Sequence, residues 1–155
     1  MQTTPLRHKS TRRAADMGRV LTEAVIENFH DHWAARKGQL PPREVRRLVV
    51  SDALVDTGAT TLSLPKKLIR ELGLEKISER RVRTTGGNRI AGVYGTVLLT
   101  IMGRTCTLDV MDVPNSIPVL IGQIPLELLD FVVDPVAHRL IGNPAHGGEH
   151  ILEAY

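Results

Sequence analysis

The stretch ALVDTGATTLSLP, residues 53–65, places one acidic residue, Asp56, directly after an apolar run and directly before Thr57 and Gly58. Burying a carboxylate without a partner is costly, so a strand that enters the core should not end in one without compensation. Asp56 is therefore either a turn residue, whose side chain bonds to the backbone two residues on, or a group placed for chemistry. The tripeptide alone does not separate these interpretations, because it also occurs by chance.

A second short element, Leu120-Ile121-Gly122, joins two apolar residues to a glycine and stands directly before a helix-forming stretch, within VLIGQIPLELL. Together the two stretches resemble the retropepsin-like aspartic proteases, the single-domain relatives of pepsin. The resemblance runs over residues 17–144 and is specific in these two stretches. It implies a mostly β fold, a retropepsin-like closed β-barrel or sandwich with short helices and one lobe per chain.

The resemblance also implies which residues form the site, with Asp56 as the catalytic group. The residues that would support it from the active-site loop and from a ψ-shaped crossing behind that loop are Thr57, Gly58, Ala59, Leu120, Ile121 and Gly122. The residues at the tip of a flap that closes over substrate would be Gly86, Gly87 and Asn88. Thr57 would grip the second active-site loop. In that family an Arg or Asp usually follows the apolar-apolar-Gly element and ties the helix to the site, and here that position is Gln123.

One Asp-Thr-Gly per chain bears on assembly. Amide hydrolysis by carboxylates needs one group to take a proton from water and another to protonate the carbonyl. Two carboxylates in contact share one proton, as is general for aspartic proteases. A single copy cannot supply both, whereas two chains around a two-fold axis can, each contributing Asp56. The prediction is a homodimeric aspartic endopeptidase that binds extended polypeptide and uses no cofactor. The alternative is a dimeric peptide-binding or scaffolding module of the same fold with weak or no proteolysis.

The remaining sequence patterns predict many short strands, two short helices and regular turns, which is typical of a mostly β domain. Residues 17–28 fit both helical spacing and strand alternation, and residues 29–44 are predicted as a loop of unknown role with at most one helical turn. A helix is predicted after Pro65, and hairpin turns are predicted at Gly86-Gly87-Asn88 and around Gly103. We divide the chain into a flexible basic arm (1–16), the protease domain (17–144) and a C-terminal tail (145–155).

Composition limits the other function classes. The formal charge of +3 is concentrated in the first residues, without a basic face bearing aromatics, so no nucleic-acid partner is predicted. One cysteine, Cys106, permits no internal disulfide, and the scattered histidines predict no metal site. There is no apolar run of about 18 residues and no secretory signal, so we expect no membrane contact and a cytoplasmic location. Because few charges flank Asp56, substrate selection is expected to come from apolar pockets.

Overall fold

The computed structural model describes residues 7–8 and 19–154. Within these residues the chain forms ten β-strands and three α-helices, joined by turns and two short 3-10 segments. The strands are β1 (Arg7–His8), β2 (Leu21–Asn28), β3 (Arg47–Val55), β4 (Leu62–Pro65), β5 (Glu75–Thr84), β6 (Gly87–Ile101), β7 (Arg104–Val113), β8 (Leu120–Ile121), β9 (Phe131–Asp134) and β10 (Arg139–Gly142). The helices are α1 (Phe29–Arg36), α2 (Lys66–Glu71) and α3 (Gln123–Leu129), and the 3-10 segments are Pro42–Glu44 and Pro144–His146.

Six strands close into a β-barrel. The hydrogen-bonded order is β3-β2-β6-β7-β4-β8, and β8 pairs back with β3. The strand β5 lies outside the ring and pairs with β6, while β9 and β10 form a separate hairpin. The mostly β, single-lobe fold that the sequence predicts is confirmed.

The barrel interior is filled by aliphatic side chains, as the scarcity of aromatics requires. The fully buried residues among them are Ala24, Ile26, Ala53, Leu62, Leu64, Val97, Leu99, Ile101, Val110 and Ile121. Each large aliphatic side chain removed from water stabilises the fold by roughly 1.5–3 kcal/mol. The helix α3 buries Pro125, Leu126 and Leu129, and its two leucines belong to the same core. The core therefore includes the helix that follows the apolar-apolar-Gly element.

Tertiary pairing decides the conformation of the ambiguous stretch before residue 29. The strand β2 pairs with β3 on one side and with β6 on the other, so its backbone groups are satisfied in a sheet. The helix α1 follows at once, because Asn28 accepts a hydrogen bond from the Asp31 amide at 3.0 Å and caps the helix. The helical turn predicted within residues 29–44 was too short: eight residues are helical, and none of them is buried.

The hairpin turns lie close to their predicted positions. In the β5–β6 hairpin Thr84 pairs with Gly87, so the turn residues are Thr85 and Gly86, and Asn88 already belongs to β6. Gly87 takes a positive φ of 115°, which glycine adopts without strain. In the β6–β7 hairpin Ile101 pairs with Arg104, and the two turn residues between them both have positive φ.

The chain ends contact the domain where the structure describes them. Most of the predicted arm, residues 1–16, lies outside the described residues, but β1 within it pairs in parallel with β3. The predicted tail folds back onto the end of α3: His146 Nδ1 lies 2.6 Å from Asp130 Oδ2, and the Ile151 amide donates to the same oxygen at 3.1 Å. Arg104 binds the Gly148 carbonyl from the barrel side.

Candidate active site

Asp56 stands at the point where β3 leaves the barrel. Its amide donates to the Ile121 carbonyl at 2.9 Å, and its carbonyl accepts from the Ala59 amide at 3.0 Å. Its Oδ1 accepts from the Gly58 amide at 2.9 Å, while its Oδ2 accepts no hydrogen bond from the described residues. The carboxylate is half-buried. One oxygen is thus held by the turn, and the other is free to face a partner.

The strand β8 crosses between the two strands that flank the Asp56 loop. Leu120 and Ile121 pair in parallel with β3, which leads into the loop, and antiparallel with β4, which leads out of it. This is the backbone pairing that the predicted ψ-shaped crossing requires, and its role in supporting a catalytic site stays a prediction.

Gly122 is required at this crossing by close packing. Its amide donates to the Thr61 carbonyl at 3.0 Å. A Cβ at position 122 would lie 2.4 Å from the Thr61 carbonyl oxygen and 2.7 Å from that of Ala59. Because these are backbone atoms of the active-site loop, no side-chain rotation relieves the contact. The backbone of β8 and the loop can approach this closely only with glycine here.

The first residues of α3 hold the far side of the loop. The Gln123 amide donates to the Ala59 carbonyl and the Ile124 amide donates to the Thr60 carbonyl, both at 2.9 Å. The Gln123 side chain points elsewhere: its Nε2 donates to Glu127 Oε1 at 3.1 Å, within the same helix. Backbone bonds therefore brace the loop, and Gln123 supplies no equivalent of the charged brace that is usual in the family.

Thr57 and Gly58 are exposed at the tip of the loop. The Thr57 hydroxyl forms no hydrogen bond with the described residues. Its predicted grip on a second active-site loop involves another chain and stays a prediction. The structure joins Asp56 and its loop to β8 through the backbone bonds above, so the two stretches singled out in the sequence form one unit.

Family comparison agrees with this unit. The family model described as aspartyl protease matches residues 46–124, a span that includes the Asp56 loop, the β5–β6 hairpin and β8. The chain belongs to this aspartyl protease family. The family is part of the retropepsin-like clan, as the two sequence stretches predict. No similar sequence is found among curated proteins.

In this aspartyl protease the predicted flap residues Gly86, Gly87 and Asn88 are exposed at the end of the β5–β6 hairpin. Within the hairpin, the Thr84 hydroxyl donates to the Gly87 carbonyl at 2.7 Å. The three residues form no hydrogen bond with the described residues of the Asp56 loop. Their contact with substrate stays a prediction.

The anchor of this hairpin was not predicted from the sequence. Asp112 on β7 is buried, and its Oδ1 lies 3.3 Å from Arg89 Nη1 and accepts from the Gly92 amide at 3.2 Å. Arg89 Nη2 also donates to the Asp112 carbonyl at 2.6 Å. This ion pair ties the hairpin base to β7, which in turn pairs with β4, the strand that leaves the active-site loop. An acidic residue inside an apolar strand was the available signal, because a buried charge needs a partner.

The segment at residues 29–44 lies far from Asp56 along the sheet. It connects the end of β2 to the start of β3, whereas Asp56 follows the end of β3. The nine residues of β3 separate the two by roughly 30 Å of extended chain. The segment therefore joins the end of β3 opposite to the one that leads into the Asp56 loop.

Metal-binding side chains are scattered over the described part of the chain. Within residues 19–154 and the β1 pair, no three His, Cys, Asp or Glu side chains are grouped so that they could hold a metal ion. Among the same residues, no helix is long and apolar enough to cross a membrane.

Proposed function

We propose that this aspartyl protease is an endopeptidase whose active site is a pair of Asp56 carboxylates, one from each chain of a homodimer. The observation that carries the proposal is the state of Asp56: its Oδ1 is held by the Gly58 amide, and its Oδ2 has no partner within the described residues. A loop braced from behind by Gly122 and α3 keeps that free oxygen in a constant position. A second carboxylate from a symmetry mate completes the site.

The chemistry follows from one proton shared by two carboxylates. The ionised carboxyl group takes a proton from a water molecule, and the oxygen of that water attacks the peptide carbonyl carbon. The protonated carboxyl group gives its proton to the carbonyl oxygen, which produces a neutral tetrahedral intermediate. The C–N bond then breaks as the nitrogen takes a proton from one carboxyl group and leaves as an amine. A hydroxyl group of the intermediate returns its proton to the other carboxylate, which leaves a carboxylic acid and a dyad that again holds one proton. These steps require no metal or cofactor.

Substrate is proposed to bind extended, with its backbone along the β5–β6 hairpin, in the manner of an added strand. Such binding presents a peptide bond to the dyad without requiring a particular side chain. The rival function, a peptide-binding module without proteolysis, would be favoured by a segment blocking the cleft. Residues 29–44 join the other end of β3, so their position does not favour the module without proteolysis.

The test is incubation of the purified protein with a mixed peptide library, comparing wild type with Asp56→Asn. Asn keeps the size and the bond from the Gly58 amide but cannot exchange protons, so cleavage is expected to disappear while folding is retained. Asp134→Asn is the matched control, because Asp134 Oδ1 likewise accepts an amide two residues on, from Val136 at 3.0 Å. Cleavage by Asp56→Asn at the wild-type rate would remove Asp56 from the mechanism.

Assembly is tested by dilution. If each chain supplies one carboxylate, specific activity must fall when the protein is diluted below the dissociation constant of the dimer. Analytical ultracentrifugation over the same dilution series measures that constant. Excess Asp56→Asn chains should lower the activity of the wild type, because they form heterodimers with only one Asp56 carboxylate. Activity should also be bell-shaped in pH, with both limits belonging to the pair of carboxylates. A monomer that stays fully active contradicts the shared dyad.

A further inference from the structure

The β5–β6 hairpin carries an unbalanced positive charge. The stretch RRVRTTGGNRIAG, residues 80–92, contains four arginines and no acidic residue, whereas the whole chain has a formal charge of only +3. Lys76 and Glu79, nearer the start of β5, neutralise each other in an ion pair. The excess charge is therefore confined to the outer part of the hairpin, beyond Glu79.

Three of the four arginines have no partner among the described residues. Arg89 is occupied by Asp112, as described above. Arg80, Arg81 and Arg83 are exposed and form no hydrogen bond or ion pair with any described residue. Arg81 and Arg83 are two residues apart in one strand and carry like charges, so a bound anion would relieve their repulsion. A guanidinium binds a carboxylate with two parallel hydrogen bonds, and a lysine ammonium cannot do so.

The position of these side chains fits an extended polypeptide. Within the described residues β5 pairs with β6 alone, so its other edge offers unpaired backbone groups along its length. Arg81 pairs with Ile90 and Arg83 with Asn88, which puts both arginines on one face of the hairpin. Alternate residues of a strand are about 6.8 Å apart, which is also the repeat of alternate side chains in a peptide added to that edge.

Arg80 lies on the opposite face of the hairpin. It pairs with Ala91, which is fully buried, and the neighbouring pair on that face contains Arg89, which reaches Asp112 on the barrel. This face is therefore turned toward the barrel. A peptide along the free edge would meet guanidinium groups on both of its faces.

Two different roles fit the arginines less well. Charged side chains on an edge strand discourage unwanted strand pairing, but Lys or Glu serves that purpose equally well. Single-stranded nucleic acid also binds arginines, but it requires aromatic side chains for base stacking, and residues 80–92 contain none. An extended polypeptide is also the substrate class of the proposed function, so one ligand accounts for both the charge and the edge.

We propose that Arg80, Arg81 and Arg83 select polypeptides that carry acidic residues, by binding an extended acidic segment along the free edge of β5. This inference rests on the proposed function for its identification of the hairpin as a substrate-binding element. It adds selection by charge at the hairpin to the apolar pockets that are expected near Asp56.

The experiment measures binding separately from cleavage. Asp56→Asn protein is titrated, with fluorescence anisotropy as readout, into a labelled peptide of alternating Glu and Thr and into its Gln-Thr counterpart. The acidic peptide is expected to bind more tightly, and the triple variant Arg80→Gln, Arg81→Gln, Arg83→Gln should weaken it about 10- to 100-fold, since each exposed ion pair contributes up to a factor of about five. Raising the salt from about 0.05 M to about 0.5 M should have a similar effect.

The matched control removes the same charge elsewhere, by the triple variant Arg36→Gln, Arg70→Gln, Arg139→Gln on exposed positions of α1, α2 and β10. Its affinity for the acidic peptide should stay within about twofold of the parent. Equal losses in both triple variants, or equal affinity for the two peptides, would overturn the inference. So would tighter binding of a single-stranded oligonucleotide of equal charge.

A charge reversal guards against a variant that merely unfolds. Arg81→Glu with Arg83→Glu should reverse the preference, so that a Lys-Thr peptide binds more tightly than the Glu-Thr peptide. Unfolded protein cannot produce this gain. If the wild type cleaves peptides without any preference for acidic ones, the inference about the arginines is wrong, while the proposed peptidase function is retained. Protein that binds the acidic peptide but cleaves nothing would support the inference about the arginines and contradict the proposed peptidase activity.

Discussion

The substitution Gly122→Ala tests whether the active-site loop is held by the close approach of β8. Gly122 has a φ of −87° and a ψ of −172°, an extended conformation that alanine also adopts, so the backbone itself is not strained. The perturbation is one methyl group placed against backbone. Its distances would be 2.4 Å to the Thr61 carbonyl oxygen and 2.7 Å to the Ala59 carbonyl oxygen, against at least 3.4 Å for an ordinary contact.

The cost is set by how the clash is relieved. The loop must retreat by about 1 Å to restore van der Waals distances, and that shift stretches three hydrogen bonds of 2.9–3.0 Å between the loop and the start of α3. Each such bond contributes roughly 0.5–1.5 kcal/mol, and overpacking of a tight site costs about 1–3 kcal/mol. A gain of about 0.4–1 kcal/mol from the less flexible unfolded chain offsets part of this. Because the three bonds are stretched and not lost, the net loss of unfolding free energy should lie near the lower end of this sum, at about 2–3 kcal/mol.

The assay is urea denaturation at fixed protein concentration, because dimerisation would make stability concentration-dependent. Gly86→Ala is the matched control: its Cβ would meet nothing closer than the Thr84 hydroxyl at 3.8 Å. The control should change the unfolding free energy by less than about 0.5 kcal/mol. Peptidase activity of Gly122→Ala should fall about 100-fold, as expected for a misplacement of about 1 Å at a catalytic group. If Gly122→Ala unfolds with the same free energy as the control, the close approach of β8 is not what holds the loop.

Two further predictions concern other parts of the fold. Asn28→Ala should cost about 2–3 kcal/mol in the same denaturation assay, because it removes the cap of α1 and leaves the Leu72 carbonyl, now bound at 2.8 Å, without its donor. Asn28→Ser keeps a capping oxygen but not the donor to Leu72, so its stability should lie between those of wild type and Asn28→Ala; equal stability of all three proteins would contradict this. His146→Gln should lower Tm most at acidic pH, because the hydrogen bond to Asp130 raises the pKa of His146 above 6.5. The stabilisation is complete below about pH 6.5 and is lost as pH rises through the raised pKa, so the Tm difference should narrow as pH rises past it. On the acid side, the hydrogen bond from His146 lowers the pKa of Asp130 to about 2, so this contribution is lost only as pH falls from 3.8 toward that value. A pH-independent difference would mean that the neutral imidazole supplies the whole effect.

The short-range features of this protein could be predicted from sequence because their causes are local. Asp56 with its turn, and Gly122 before a helix, need only neighbouring residues to define them, and the structure joins them as one unit. The β6–β7 turn was also predictable, because Gly103 accepts the positive φ that a tight hairpin requires. Composition dictated an aliphatic core, since few aromatics are available to fill it.

Other features depend on which segments meet across the barrel, and no local pattern contains that information. Residues 21–28 satisfy helical and strand patterns alike, and pairing on both sides with β3 and β6 made them a strand. The Gln123 side chain binds within its own helix rather than the active-site loop, a choice between partners that depends on their positions. The Arg89–Asp112 ion pair and the free edge of β5 likewise exist only after strands distant in the chain have paired. The order of amino acids thus dictates which residue types form the active-site loop and how that loop turns. What surrounds the loop is settled when the barrel closes, because burial and long-range hydrogen bonding join residues that are far apart in the chain.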